Sequence, residues 1–435
     1  MGQERLLIGI DFSKSRSDLA LLKSNGQILK AHKAFANSRA GYDQAKELIL
    51  KTIQEHNLTG LDVAGEATSY YWLPMFIHFE EDTDLAAYSP NLYLLNPKWV
   101  HWYKKAQPKD HKNDQSDPRY IGDYLRVHRP TTSWHYDDRW APVRILTRLR
   151  SHLVKTVTRE KNLLSLYLFL DYTTYTDRKP FSKHLSAISQ TLLKDPTLLE
   201  SFADDDLEDL VELLQEQSNN SLKDPLESAR RLRQVMQERY ELPDKLGTSI
   251  QHGIDILLDT INALQSQIKR VETQIMEMTR EGYPEISWLD SVPGVGQVLA
   301  SGIASEIGEI RRFLDHQVWD DHSQSYRSRR SSEVTDAISK YAGLWWPDNS
   351  SGNFQAEDKR LSREGNSYLR FYILEAADCM RRSLPVFARY YQSKADQATH
   401  HKHKRALVLT GSKALDLFVA LLRKGEFYRA KEQAS

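Results

Sequence analysis

One cysteine in 435 residues, Cys379, rules out an internal disulfide and fits a reducing cytoplasm. No stretch approaches the roughly 20 apolar residues of a membrane span, and the polar start is no signal peptide. Net charge is missing as well, with 59 Lys and Arg set against 59 Asp and Glu. A nucleic-acid role therefore cannot rest on overall basicity and needs local clusters. Three are present: His400 to Arg405, Arg327 to Arg330, and Lys359 to Arg370. Each alone also reads as a solvated surface. What is plentiful is length, too much for one ordinary core, so two or three domains are expected.

The first 130 residues carry a β-rich pattern. Arg5 to Asp11 is a short apolar run ending in a carboxylate and reads as a buried strand. Ser17 to Leu22 gives a second strand, Asn25-Gly26 a hairpin turn, and Gln27 to Phe35 a third. Helical spacing follows from Arg39 to about His56 behind the cap Ser38. Leu61 to Ala64 and Leu92 to Leu95 read as further strands, the former delivering Glu66 just past its end. Asp114 and Asp117, spaced i and i+3, share one face if a helix opens there and runs to Arg126. Like charges that close call for Mg²⁺, although a helix dipole also favours acids in a first turn. Asp11 is harder to explain away, because an unpaired buried carboxylate is costly. Lys112 either steadies phosphate or pairs with an aspartate.

Further along, Ile254, Leu257, Ile261, Leu264, Ile268, Val271, Ile275 and Met278 alternate spacings of three and four, the seam of a coiled coil. A looser partner runs from Arg144 to about Leu170 through Leu146, Leu149, Leu153, Leu163 and Tyr167, pairing within the chain or between chains. Short helices are expected over 171–250, with Asp204 to Asp209 as a solvated helix start. Val292-Pro-Gly294-Val-Gly296 before an apolar run to Ile307 resembles a helix-hairpin-helix turn, in which glycines let backbone N–H groups approach phosphate. Tight turns use the same residues. A Ser350-Ser351-Gly352 loop follows, then Arg363 to Arg370 opening a helix through Ala377. A serine beside a glycine, with Lys359, Arg363 and Arg370 nearby, can attack a phosphate while the cations take up developing charge. Without context the same tripeptide is an ordinary loop.

Taken in order, these motifs resemble the DEDD-type transposases of the insertion-sequence-110 family, whose relatives include site-specific DNA invertases. The resemblance is carried by Ile8 to Lys14, Gly65-Glu66-Ala67, Leu95-Asn-Pro97, Lys112 to Asp117, Val292 to Gln297, Ala304 to Gly308, Ala342 to Leu344, Ser351-Gly352 and Gly365 to Arg370. It implies an α/β ribonuclease H-like (RuvC-type) domain over 1–140, a helical coiled-coil stalk over 141–285, and a mainly α C-terminal domain over 286–435 with a helix-hairpin-helix-like segment. It also implies divalent metal, Mg²⁺, on Asp11, Glu66, Asp114 and Asp117. Ser351, which directly precedes a glycine, becomes the nucleophile that forms a covalent link to DNA, with Ser350 as the alternative. Asn113 and Pro118 depart from the residues usual around the last acidic pair, and proline suits a first helical turn. The stretch from Asp315 to Thr335 is longer than usual.

The expected function is a DNA transposase or site-specific recombinase of a mobile element, guided by a structured bridge RNA. A metal-dependent four-way-junction nuclease and a non-catalytic domesticated nucleic-acid-binding protein are the alternatives. Contacts to nucleic acid are expected from Lys98, Trp99, Trp102, Lys104, Lys105, Lys112, Gly294, Gly296, Lys359, Arg363, Asn366 and Arg370, since aromatics interleaved with cations suit stacking and backbone contact. The partners are donor and target duplexes, the guide RNA and further copies of the chain, as a homodimer that joins into a homotetramer. The location expected is the cytoplasm of a prokaryote, on the nucleoid when active.

Overall fold

A computed structural model describes residues 4–107, 117–130, 133–183, 185–320, 323–346, 350–351, 354–355, 361–362 and 364–430. The chain forms two compact units, Met1–Asp138 and Arg139–Ser435.

In the first unit, β1 (Arg5–Phe12), β2 (Arg16–Lys23) and β3 (Ile28–Ala36) run antiparallel in succession. β4 (Gly60–Glu66) then lies parallel to β1, and β5 (Asn91–Leu95) parallel to β4, giving the order β3-β2-β1-β4-β5. Central β1 is buried on both faces, as its unbroken apolar run requires, while edge strand β3 keeps its lysines toward water. Leu6, Ile8 and Ile10 join the core beneath α1 (Arg39–Glu55) and α2 (Leu73–Glu81). Leu7, Ala20 and Leu22 join the opposite core, with Val100 of α4 (Pro97–Ala106) and Ile121 and Leu125 of α5 (Asp117–His128). A single-turn helix, α3 (Thr83–Ala86), precedes β5. The Ser38 hydroxyl accepts from Gly41 N at 3.2 Å and starts α1 at the expected residue. The strands match the sequence pattern to within about two residues, except that Glu66 is the last residue of β4 rather than beyond it. α2, α3 and α4 occupy segments in which the sequence pattern marked no element.

The second unit opens with α6 (Trp140–Asp171), which packs antiparallel on α12 (Asp244–Met278) within the same chain. Arg150 meets Glu272 at 2.7 Å, and the Tyr167 ring covers Gly253 toward the other end. α12 buries Ile254, Leu257, Ile261 and Ile275 as its spacing predicts. The register expected on α6 holds only in part, however. Leu149 and Leu163 are exposed, and the buried stripe is Val143, Thr147, Ser151, Val157, Leu164 and Leu168. Leucine is so frequent on this helix that leucine spacing alone picks the wrong face; the small Thr147 and Ser151 lie on the packed one. Between the long helices come α7 (Tyr175–Arg178), α8 (Ala187–Lys194), α9 (Pro196–Asp204), α10 (Leu207–Gln217) and α11 (Pro225–Glu238). Glu208 and Asp209 sit in the first turn of α10, where the dipole favours them.

The rest is mainly helical: α13 (Pro284–Asp290), α14 (Gly296–Ile307), α15 (Arg311–Leu314), the hairpin β6 (Gln317–Asp320) and β7 (Ser325–Ser328), and α16 (Ser331–Ala342). The two-residue strands β8 (Ser350–Ser351) and β9 (Phe354–Gln355) precede α17 (Ser367–Ser383), α18 (Pro385–Gln397) and α19 (Lys402–Lys424). One core gathers Val292, Ile303, Ile338, Tyr372, Ile373 and Phe418. Among the described residues, no helix is long and apolar enough to cross a membrane.

Candidate active site

The carboxyl ends of β1 and β4 bring the first two acids together. Ile10 pairs with Gly65 in parallel register, so Asp11 and Glu66 follow one step on, on neighbouring strands. The third acid arrives from α5. A Cβ at Gly9 would lie 2.0 Å from Pro118 O and 2.3 Å from Gly122 N, so the helix backbone rests directly on β1. That close approach places Asp117, the first residue of α5, over the strand end. Asp114 and Lys112 lie outside the described residues.

A cation already stands among these acids, and it belongs to the protein. Lys104 Nζ donates to Glu66 Oε1 at 3.3 Å and lies 3.0 Å from Asp117 Oδ2. Burial lifts the Glu66 carboxyl above its ordinary range; Lys104 pulls it back, and the charges of Asp11 and Asp117 push it up again. The set is all oxygen, the donor type that hard divalent cations select. Among the described residues, no group of three or more His, Cys, Asp or Glu is placed to hold a metal ion.

Helix α4 divides the residues expected to touch nucleic acid. Val100, Tyr103 and Lys104 face inward, and Tyr103 donates its hydroxyl hydrogen to Asp123. Trp99, Trp102 and Lys105 face outward, with the two indoles 55% and 52% exposed and Lys98 Nζ 4.4 Å from the Trp102 ring centre. Lys104, expected among the nucleic-acid contacts, is paired here with the carboxylates of Glu66 and Asp117. The signal was in the spacing, since it stands four residues after buried Val100.

The serine segment lies in the second unit between α16 and α17. Ser350 pairs with Gln355 and Ser351 with Phe354, and Gly352 lies outside the described residues. The loop base is closed by Ser362 N donating to Trp345 O at 3.0 Å. Lys359 and Arg363 lie outside the described residues. Arg370 Nη1 donates to Ala342 O at 2.9 Å and ties α17 to the end of α16.

Asn366 holds this region together through its own side chain. Its Oδ1 accepts from Tyr368 N and Leu369 N, both at 3.0 Å, capping α17, and its Nδ2 donates to Glu306 Oε2 at 2.7 Å. Glu306, with a fully buried side chain, is gripped by Arg148 Nε at 2.6 Å and Nη2 at 2.8 Å. Both polar ends of Asn366 are engaged inside the protein. Arg148 went unremarked in the sequence; the signal for such a partner was a carboxylate inside the apolar run that ends at Ile307. Gly294, at φ +94°, would drive a Cβ to 2.9 Å from the Cys379 backbone, so packing against α17 accounts for it. Gly296, at φ +63°, borders open space at the start of α14.

Two protein-family profiles match the chain. Residues 8–170 match the DEDD type of IS110, described as a transposase, and residues 329–392 match the family described as transposase IS116/IS110/IS902. No curated protein matches.

Proposed function

The chain belongs to the IS110 family of transposases, and we propose that it cuts and rejoins DNA of a mobile element through a covalent phosphoserine intermediate, assisted by a divalent metal on the acidic site. The observation that carries this reading is the Lys104 ammonium bridging Glu66 and Asp117 at the strand end, with the charge of Asp11 felt beside them. Asp11, Glu66, Asp117 and Asp114 would hold Mg²⁺, and the metal would neutralise their repulsion and polarise a phosphate oxygen. The strand order β3-β2-β1-β4-β5, with helices over both faces, supports a ribonuclease H-like (RuvC-type) first domain.

In the proposed step the Ser351 oxygen forms a bond to phosphorus, the bond to one sugar oxygen breaks, and the proton leaves with that sugar as a hydroxyl. Phosphodiester energy is kept in the serine ester, and the hydroxyl of a second strand reverses the step. Guidance by a structured bridge RNA belongs to the same proposal, with the outward face of α4 (Lys98, Trp99, Trp102, Lys105) as its contact. Assembly as a dimer that joins into a tetramer is supported by the apolar stripe that α6 leaves exposed, Leu163, Leu166, Phe169 and Leu170. Coiled-coil pairing of α6 and α12, the 141–285 and 286–435 division, and work on the nucleoid complete it.

A suicide four-way-junction substrate tests the mechanism. Wild-type protein is expected to leave a denaturation-resistant adduct, and Ser351→Ala none, with DNA binding within a few fold. Adduct lost in Ser350→Ala but kept in Ser351→Ala would move the nucleophile by one residue. Nicked product without adduct would favour a junction nuclease, and neither product a binding protein.

A further inference from the structure

The β6–β7 hairpin wears its surface inside out. By register, Trp319 faces Tyr326 and Gln317 faces Ser328 on one side, while Val318 faces Arg327 and Asp320 faces Ser325 on the other. A half-buried hairpin ordinarily turns its large apolar side chains inward. Here Trp319 is 49% and Tyr326 70% exposed, while Val318, Asp320 and Arg327 are half-buried. The two rings meet edge to face at 5.2 Å and leave broad π surface in solvent.

The inner side is ionic and fixed. Arg327 Nε donates to Asp320 Oδ2 at 2.8 Å, and its two terminal nitrogens donate to both Glu333 oxygens at 2.8 and 2.7 Å. Glu333 also accepts from Arg330 N at 2.6 Å, so the hairpin is clamped to the first turn of α16. The Arg327 guanidinium holds the Glu333 carboxyl down at about 2, and this side stays ionised through neutral pH. Aromatic exposure on a clamped frame costs little ordering on binding. Between Ser323 and Ser332 the chain carries three arginines, five serines and no carboxylate, a composition that complements a polyanion.

We propose that the Trp319–Tyr326 face is a stacking platform for an unpaired nucleobase of a DNA strand, with Arg329, Arg330 and the flanking serine hydroxyls at the adjoining phosphates. The choice of DNA rests on the recombinase reading, in which strands come unpaired around each cut. The platform sits at the start of α16, and the Ser351 loop follows its end.

Full-length protein is mixed with a thymine-rich single-stranded DNA carrying iododeoxyuridine, with RNA of the same sequence, and with the paired duplex. Photocrosslinks to the single strand are expected at Trp319 or Tyr326. Affinity for that strand should fall about tenfold in Trp319→Ala and in Tyr326→Ala, stay near wild type in Trp319→Phe, and change less for duplex. Crosslinks that all map elsewhere, or unchanged affinity in both alanine variants, would overturn the platform. Tighter binding of the RNA would overturn its assignment to DNA. Weakened self-association with unchanged DNA binding would overturn it in favour of a second copy of the chain. Crosslinking needs no cleavage, so a wild-type protein that fails to cut sinks the recombinase reading and leaves this result readable.

Discussion

Glu66 in the first unit and Glu306 in the second are both carboxylates withdrawn from water, and each meets a cation. Glu306 is saturated: the planar fork of Arg148 takes both oxygens, and the Asn366 amide adds a further hydrogen bond. Glu66 has one lysine at 3.3 Å, shares it with Asp117, and has Asp11 beside it as a further like charge. A guanidinium with two matched bonds completes a carboxylate, whereas a lysine is a point charge on a flexible stem. Buried charge is no sign of function by itself; what separates the two is how each carboxylate is held. The looser hold is at Glu66.

The largest expected contrast comes from neutralising each acid in turn. On the proposed metal-assisted mechanism, Glu66→Gln should lower strand cutting by roughly a thousandfold or more, with a melting temperature at or above wild type. Glu306→Gln leaves Arg148 without its counter-charge and should cost on the order of 3–5 kcal/mol of stability, with cutting per folded molecule retained. Thermal melts beside single-turnover cutting read both. Full cutting by Glu66→Gln in EDTA would erase the distinction.

Lys104 offers a finer probe of the same carboxylates. Removing it as Lys104→Met leaves Glu66 and Asp117 without their internal cation, so the metal-free protein should melt lower. Added Mg²⁺ should then raise the melting temperature more than in wild type, since a ligand stabilises in proportion to its affinity for the folded state. An equal Mg²⁺ response in the two proteins would mean that Lys104 and the metal do not share a place.

These contrasts also explain what the sequence could and could not disclose. The strands themselves and the place of Asp11 were legible because an unbroken apolar run, and a carboxylate at its end, are local signals. The role of Gly9 was not, because it depends on α5 returning onto β1 from more than a hundred residues away. Lys104 looked like surface because α4 itself was missed, and only a helix puts Lys104 behind Val100. On α6, leucine frequency hid a packed face built partly from Thr147 and Ser151. Asn366 stood in a motif that suggested a DNA contact, and its use as a cap became visible only with Glu306 beside it.

The smallest effect, and the sharpest on the structural side of the comparison, is expected at Asn366. Its amide caps α17 at one end and satisfies Glu306 at the other, so Asn366→Asp and Asn366→Ala separate the two duties. Aspartate keeps the cap and brings a second negative charge to Glu306, with only Arg148 to offset both. Alanine loses the cap, at about 1 kcal/mol, and leaves Arg148 on Glu306. Alanine should therefore be the milder change. Both should loosen the start of α17, from which Arg370 reaches the end of α16 before the Ser351 loop. Hydrogen exchange over α17, read beside adduct yield, checks this. If Asn366 served by touching DNA, alanine would cut DNA affinity and leave exchange at the α17 N-terminus unchanged; if it serves by positioning, exchange rises first and affinity holds.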